Sequence, residues 1–129
     1  MSPERPSEVV RRHFDTFRED GLESAAQLWH PEIEWHPLEG AGIISGQSAM
    51  RRYYAEWVET MDDLRGDVDE TVFEDGDRVV VLIRNSGRGR LSGVPASGSY
   101  YVTCVVRDGR IVSGREFATR EEAIAAAAS

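Results

Sequence analysis

The chain is 129 residues long, 40% hydrophobic and 29% charged, with a formal charge of -8. That length supports one self-sufficient core, no apolar run is long enough to cross a bilayer, and the acidic balance disfavours a phosphate backbone. A single cysteine, Cys104, excludes an intrachain disulfide and a cysteine-based metal cluster.

All 15 basic residues are arginine and are scattered among carboxylates, so neither nucleic acid nor a membrane is an expected partner. Residues 1–12 carry Pro, Glu and Arg where a signal peptide needs an apolar stretch, so a cytoplasmic location is expected.

Ser7 reads as the cap of an amphipathic helix carrying Val9, Val10, His13, Phe14 and Phe17, ended by Gly21. Leu22, Ala25, Ala26, Leu28 and Trp29 predict a second short helix, stopped by His30 and Pro31. Ile33 to His36 alternate as a strand that Pro37 closes, and Gly40 to Gly46 read as a loop. Met50, Tyr53, Tyr54, Trp57, Val58, Met61 and Leu64 keep helical spacing and predict a long third helix running to Gly66.

Val68 to Phe73 and Arg78 to Arg84, joined by Glu74-Asp75-Gly76-Asp77, predict a hairpin. Asn85 to Ser99, rich in Gly, Ser and Arg, reads as the end of that strand plus an exposed connection. Tyr100 to Val106 and Ile111 to Phe117 are further strands around the turn Arg107-Asp108-Gly109-Arg110. Thr119 with Glu122 is a capping box opening a short alanine-rich helix. Helices first and hairpin strands after make an α+β arrangement in one domain, 1–129, without internal repeats.

The run Leu28-Trp29-His30-Pro31-Glu32-Ile33-Glu34-Trp35-His36-Pro37 carries a likeness, as does Gly46 opening a helix with Met50-Arg51-Arg52-Tyr53-Tyr54 and Trp57. The Asp75-Gly76-Asp77-Arg78 and Arg107-Asp108-Gly109-Arg110 turns and the closing Phe117-Ala118-Thr119-Arg120-Glu121-Glu122-Ala123 fit the same pattern. Together they resemble the SnoaL-like and ketosteroid isomerase-like branch of the nuclear transport factor 2-like superfamily, over nearly the whole chain. The resemblance implies a cone-shaped α+β barrel. In it, three N-terminal helices pack on a curved antiparallel sheet that encloses a pocket, and a short C-terminal helix follows. It also implies a homodimer paired through the sheet and proton-transfer chemistry that needs no cofactor or metal.

By that resemblance His36 falls where the isomerases carry their general base, and His13 roughly where they place a Tyr that donates to the developing oxyanion. An imidazole near its ordinary pKa can take a proton around neutral pH. Glu116 lies in the region where SnoaL-like cyclases use an acidic residue, and a carboxyl in apolar surroundings is suited to proton transfer. The isomerases' second acid has no counterpart, because Val102 or Thr103 stands there.

Each of these three also has a plain structural reading: a strand-end histidine, a histidine packed at the helix edge, and a surface glutamate paired with Arg115 or Arg84. Phe17, Trp35, Tyr53, Trp57, Val102 and Cys104 are the candidates for lining the pocket, with Cys104 as a small apolar group. Strand register between Arg90 and Val106 stays open by one residue, so either Tyr101, Thr103 and Val105 or Tyr100, Val102 and Cys104 face inward. His13, His30 and His36 have no recognised metal spacing, and no metal is expected.

Three functional readings follow. One is a cofactor-free isomerase or cyclase acting on a hydrophobic or polycyclic substrate, another is a non-catalytic binder of such a molecule, and the third is a dimerisation module whose cavity is only packed core.

Overall fold

A computed structural model describes residues 4–38 and 42–128. The elements run α1 (Pro6–Asp20), α2 (Leu22–Ala26), β1 (Trp29–His36), β2 (Ile44–Ser45), α3 (Gln47–Thr60), β3 (Met61–Asp75), β4 (Arg78–Gly89), β5 (Pro95–Arg107), β6 (Arg110–Phe117) and α4 (Arg120–Ala128). The strands form one curved sheet in the order β2-β1-β6-β5-β4-β3, open between β2 and β3 rather than closed into a barrel. Pairing is antiparallel except between β1 and β6, which run parallel. Register shifts in the β3–β4 ladder mark bulges, which bend a long hairpin around the helices.

The turn signals and the Thr119 cap translate directly, whereas the cap of α1 is Arg5 and not Ser7. Pro6 occupies the first turn of α1, where its missing N–H costs nothing, and the Glu8 carboxylate accepts from the Arg5 N–H at 3.3 Å. Ser7 therefore sits inside the helix, and its own N–H donates to Glu74 at 2.8 Å. Thr119 and Glu122 form the expected box, with the Glu122 N–H donating to Thr119 Oγ1 at 3.3 Å and the Thr119 hydroxyl to Glu122 Oε1 at 2.9 Å. Asp108 and Gly109 both have positive φ, 52° and 74°, the geometry of a tight hairpin turn.

Four boundaries differ from the helical and loop patterns. The second helix stops at Ala26, and Trp29 begins β1 because its backbone pairs with Ile111. The region read as a loop contributes β2, which pairs Ser45 with Glu34 and Ile44 with Trp35. The third helix ends at Thr60, and Met61 to Leu64 enter β3 against β4. The connection expected over Asn85 to Ser99 is mostly ladder, pairing Asn85 with Gly98 and Arg88 with Pro95.

The two faces of the sheet have different partners. Val79, Val81, Ile83, Val102, Cys104 and Ile111 join Val9, Val10, Phe14, Trp29, Ile33, Trp35 and Met50 in the main core beneath α1–α3. Val80 turns the other way and meets Ala123 and Ala127 of α4, flanked by Val72, Phe73, Tyr101 and Phe117. Tyr100, Val102 and Cys104 therefore face the helices, while Tyr101 and Thr103 face α4. No described helix is long and apolar enough to cross a membrane.

Candidate functional site

The main core does not fill the space between the sheet and α1 and α3. Toward the far ends of β3, β4 and β5 it leaves a cavity of about 520 Å³. Phe14 and Phe17 from α1 and Tyr53, Tyr54 and Trp57 from α3 form one wall. Met61, Leu64, Arg65 and Gly66 of β3, Asn85 and Ser86 of β4, and Ala96 to Tyr100 of β5 form the opposite wall, with Pro37, Leu38 and Glu116 closing one side. Trp57 and Leu38, 44% and 42% exposed, are large apolar groups left partly in solvent and mark the rim. Gly66 keeps that wall thin, since a Cβ there would fall 3.1 Å from Asn85 Oδ1 and 3.3 Å from Phe14 Cδ1.

The charged groups among the described wall residues are Arg65 and Glu116. Arg65 is exposed and pairs with Asp67 at 2.6 Å. Glu116 is half-buried and holds two hydrogen bonds: Trp35 Nε1–H donates to Oε2 at 2.7 Å and the Leu38 N–H donates to Oε1 at 3.1 Å. Burial raises its pKa above the usual carboxylate value, against the pull of those two donors.

Burial, together with the carboxylate's field, also raises the phenols of Tyr53, Tyr54 and Tyr100, so they remain protonated donors at neutral pH. The wall is thus an aromatic slot with one acid-base group and several neutral hydroxyls and amides around it.

The expected site residues separate into three groups. Glu116, Phe17, Tyr53 and Trp57 come together on the cavity wall. Trp35 stands behind Glu116, while Val102 and Cys104 lie buried in the core on the same face of the sheet. The Cys104 thiol is pushed up to about 12, by burial first and then by Glu116, and is a packing group.

His13 is in that core too, 1% exposed, with Trp29 Nε1–H donating to its Nε2 at 2.9 Å. Burial depresses its pKa to about 4, which keeps the ring neutral. His36 lies outside the described wall. Ile33 and Trp35 are the buried side of β1, so alternation turns His36 to the opposite face, paired in register with Arg115.

Tyr54, Tyr100, Leu38 and Asn85 are wall residues that the sequence did not single out for the site. For Tyr100 the signal was one of the two registers left open. Asn85 had no signal, because its segment reads as a connection.

A family model described as the SnoaL-like domain matches residues 10–114. The chain belongs to the SnoaL-like domain family.

Solved structures similar to this SnoaL-like chain share its fold at low identity. A candidate SnoaL-like polyketide cyclase from Jannaschia sp. CCS1 is 22% identical with a TM-score of 0.77, covering 98% of this chain and 94% of that one. TerC, co-crystallised with polyporic acid, is 22% identical with a TM-score of 0.73, covering 96% and 98%. A protein of ketosteroid isomerase-like fold from Catenulispora acidiphila DSM 44928, in complex with trimethylamine, is 12% identical with a TM-score of 0.75, covering 94% and 92%. No curated protein sequence matches the chain. Among the described residues, no three His, Cys, Asp or Glu side chains converge to hold a metal ion.

Proposed function

We propose that this chain binds a small, flat, largely apolar molecule in the aromatic cavity and that Glu116 takes a proton from it without a cofactor. The observation that carries the reading is one carboxylate, held by two donors, in the wall of a slot whose other groups are aromatic, aliphatic or small and neutral, apart from an exposed Arg65 paired with Asp67. Such a slot suits a planar ring system, with stacking faces from Tyr54, Trp57 and Tyr100. A carboxylate whose pKa burial has raised is a stronger base than one in water.

The chemistry that fits is abstraction of an acidic C–H or O–H proton by a free lone pair of Glu116. For a C–H acid this leaves an enolate, whose oxygen accepts from a nearby phenol or amide such as Tyr53, Tyr100 or Asn85. Return of the proton to a different carbon isomerises the molecule; attack of the enolate carbon on a carbonyl of the same molecule breaks the C=O π bond and closes a ring, and the resulting alkoxide takes the proton back from Glu116. The co-crystallisation of TerC, a protein of similar fold, with polyporic acid supports a ring compound as the ligand.

Binding without turnover is the second reading. It is favoured by Val102, which stands in register with Glu116 on the strand beside it, so no second acid is brought next to Glu116 there.

The test is a thermal-shift screen with polycyclic ketones, lactones and aromatic polyketides, followed by absorbance assays of each hit on the wild type and Glu116→Gln. The expected outcome is a hit whose turnover disappears in Glu116→Gln and whose affinity falls about tenfold, the scale of one hydrogen bond to a charged group. A hit without turnover by either protein selects the binder, and the absence of any hit contradicts both readings.

A further inference from the structure

Across the parallel β1–β6 pair, Gly114 lies directly opposite Trp35. A Cβ on residue 114 would fall 2.1 Å from Trp35 Cζ3 and 2.4 Å from Cε3. The benzene half of the indole therefore rests on the β6 backbone in a space that only glycine leaves. From that seat Nε1–H reaches Glu116, on the same face of β6, and donates to Oε2 at 2.7 Å. Trp35 is 2% exposed, so water does not compete for this donor. The Leu38 N–H, just past the end of β1, takes the other oxygen at 3.1 Å.

A carboxyl group whose two oxygens both accept is stabilised as the anion, since a charged oxygen is the stronger acceptor and each hydrogen bond favours it over the neutral acid. Burial acts in the opposite sense and favours the neutral acid. The indole is thus the side chain that decides how far burial succeeds.

We infer that Trp35 is a positioning residue: seated in the gap left by Gly114, its indole holds the Glu116 carboxylate at the cavity wall as a proton acceptor with lone pairs free for a ligand. The role in binding rests on the proposed function. The test is independent of it, because it reads Glu116 with no ligand present.

The experiment follows the carboxyl carbon of Glu116 and the indole N–H resonances by NMR through a pH titration of the wild type, Trp35→Phe and Gly114→Ala. In the wild type the Trp35 indole proton should move with the same midpoint as the Glu116 carboxyl, and this movement should vanish in Glu116→Gln. Trp35→Phe keeps an aromatic ring in the core but removes the donor, and should raise the Glu116 midpoint by about one pH unit or more. Gly114→Ala crowds the ring off its seat and should shift the midpoint in the same direction.

A Trp35 indole signal that stays flat while Glu116 titrates would overturn the inference, as would an unmoved midpoint in folded Trp35→Phe. The wild-type indole titration decides the matter by itself if neither variant folds.

Discussion

His13 is neutral in the folded chain because burial drops its pKa from 6.5 to about 4. Its Nε2 accepts from Trp29, which places the proton on Nδ1, where no partner lies among the described residues. The sign of the pH effect follows. The unfolded chain takes up a proton near pH 6.5 and the folded chain resists until about 4, so this contribution is whole above pH 6.5 and is lost as pH falls through that window. The full loss is of order 3 kcal/mol. Thermal unfolding between pH 6.5 and 4 should show a steeper fall in Tm for the wild type than for His13→Phe, whatever the variant's stability at neutral pH. Equal slopes would contradict the neutral, buried assignment.

The same residue shows how far composition and spacing reach at this scale. His13 and Phe17 share the inner side of α1, which the apolar spacing displayed. Whether an inward residue meets core or cavity depends on where packing stops, and that is set by Gly66, Asn85 and Tyr100 on distant strands. Glu116 was legible as an acid near the end of the last strand, with a surface glutamate as the open alternative. Its partner Trp35 was legible only as an aromatic, because the donor-to-carboxylate contact joins residues 81 positions apart.

At the scale of elements, caps and tight turns were readable because their chemistry is local: Thr119 with Glu122, and Asp108 with Gly109. The end of α3 was not. Met61 and Leu64 continue the helical spacing of Trp57 and Val58, yet their backbone joins β4 through Met61–Gly89 and Asp62–Arg88. A ladder to a distant strand outweighed the local period, as tertiary context routinely does.

The attachment of α4 to the outer face is a second long-range contact. The Thr103 hydroxyl donates to the Ala123 carbonyl at 2.7 Å in a buried setting. Thr103→Val keeps the shape and removes the donor, so it should lower stability by about 1 kcal/mol. Urea unfolding should show a lower midpoint with an unchanged m-value. An unchanged midpoint would mean that this bond does not anchor the helix.

Over the whole molecule, the open sheet leaves β3 as a long edge. Asp62, Asp67, Asp69 and Glu70 along it pair with Arg90, Arg65, Arg84 and Arg120. These exposed pairs add little stability singly, but charged side chains along an edge discourage further strand pairing. The α+β class was legible from the order of elements and the family from motifs such as the run Leu28 to Pro37, and the family model over residues 10–114 agrees with the latter. The position of the pocket was not legible, because it lies where β3, β4 and β5 run on past the core under α1 and α3.

The central claim is that this cavity, with Glu116 in its wall, is where a small ring compound binds. Its most direct test is a titration of the isotope-labelled chain with a hit from the thermal-shift screen, read as chemical-shift changes across the backbone and the tryptophan indoles. The account predicts the largest changes at Leu38, Leu64, Gly98, Ser99 and the indole of Trp57. Changes concentrated instead around His36, Arg115 and α4, on the opposite face of the sheet, would contradict it.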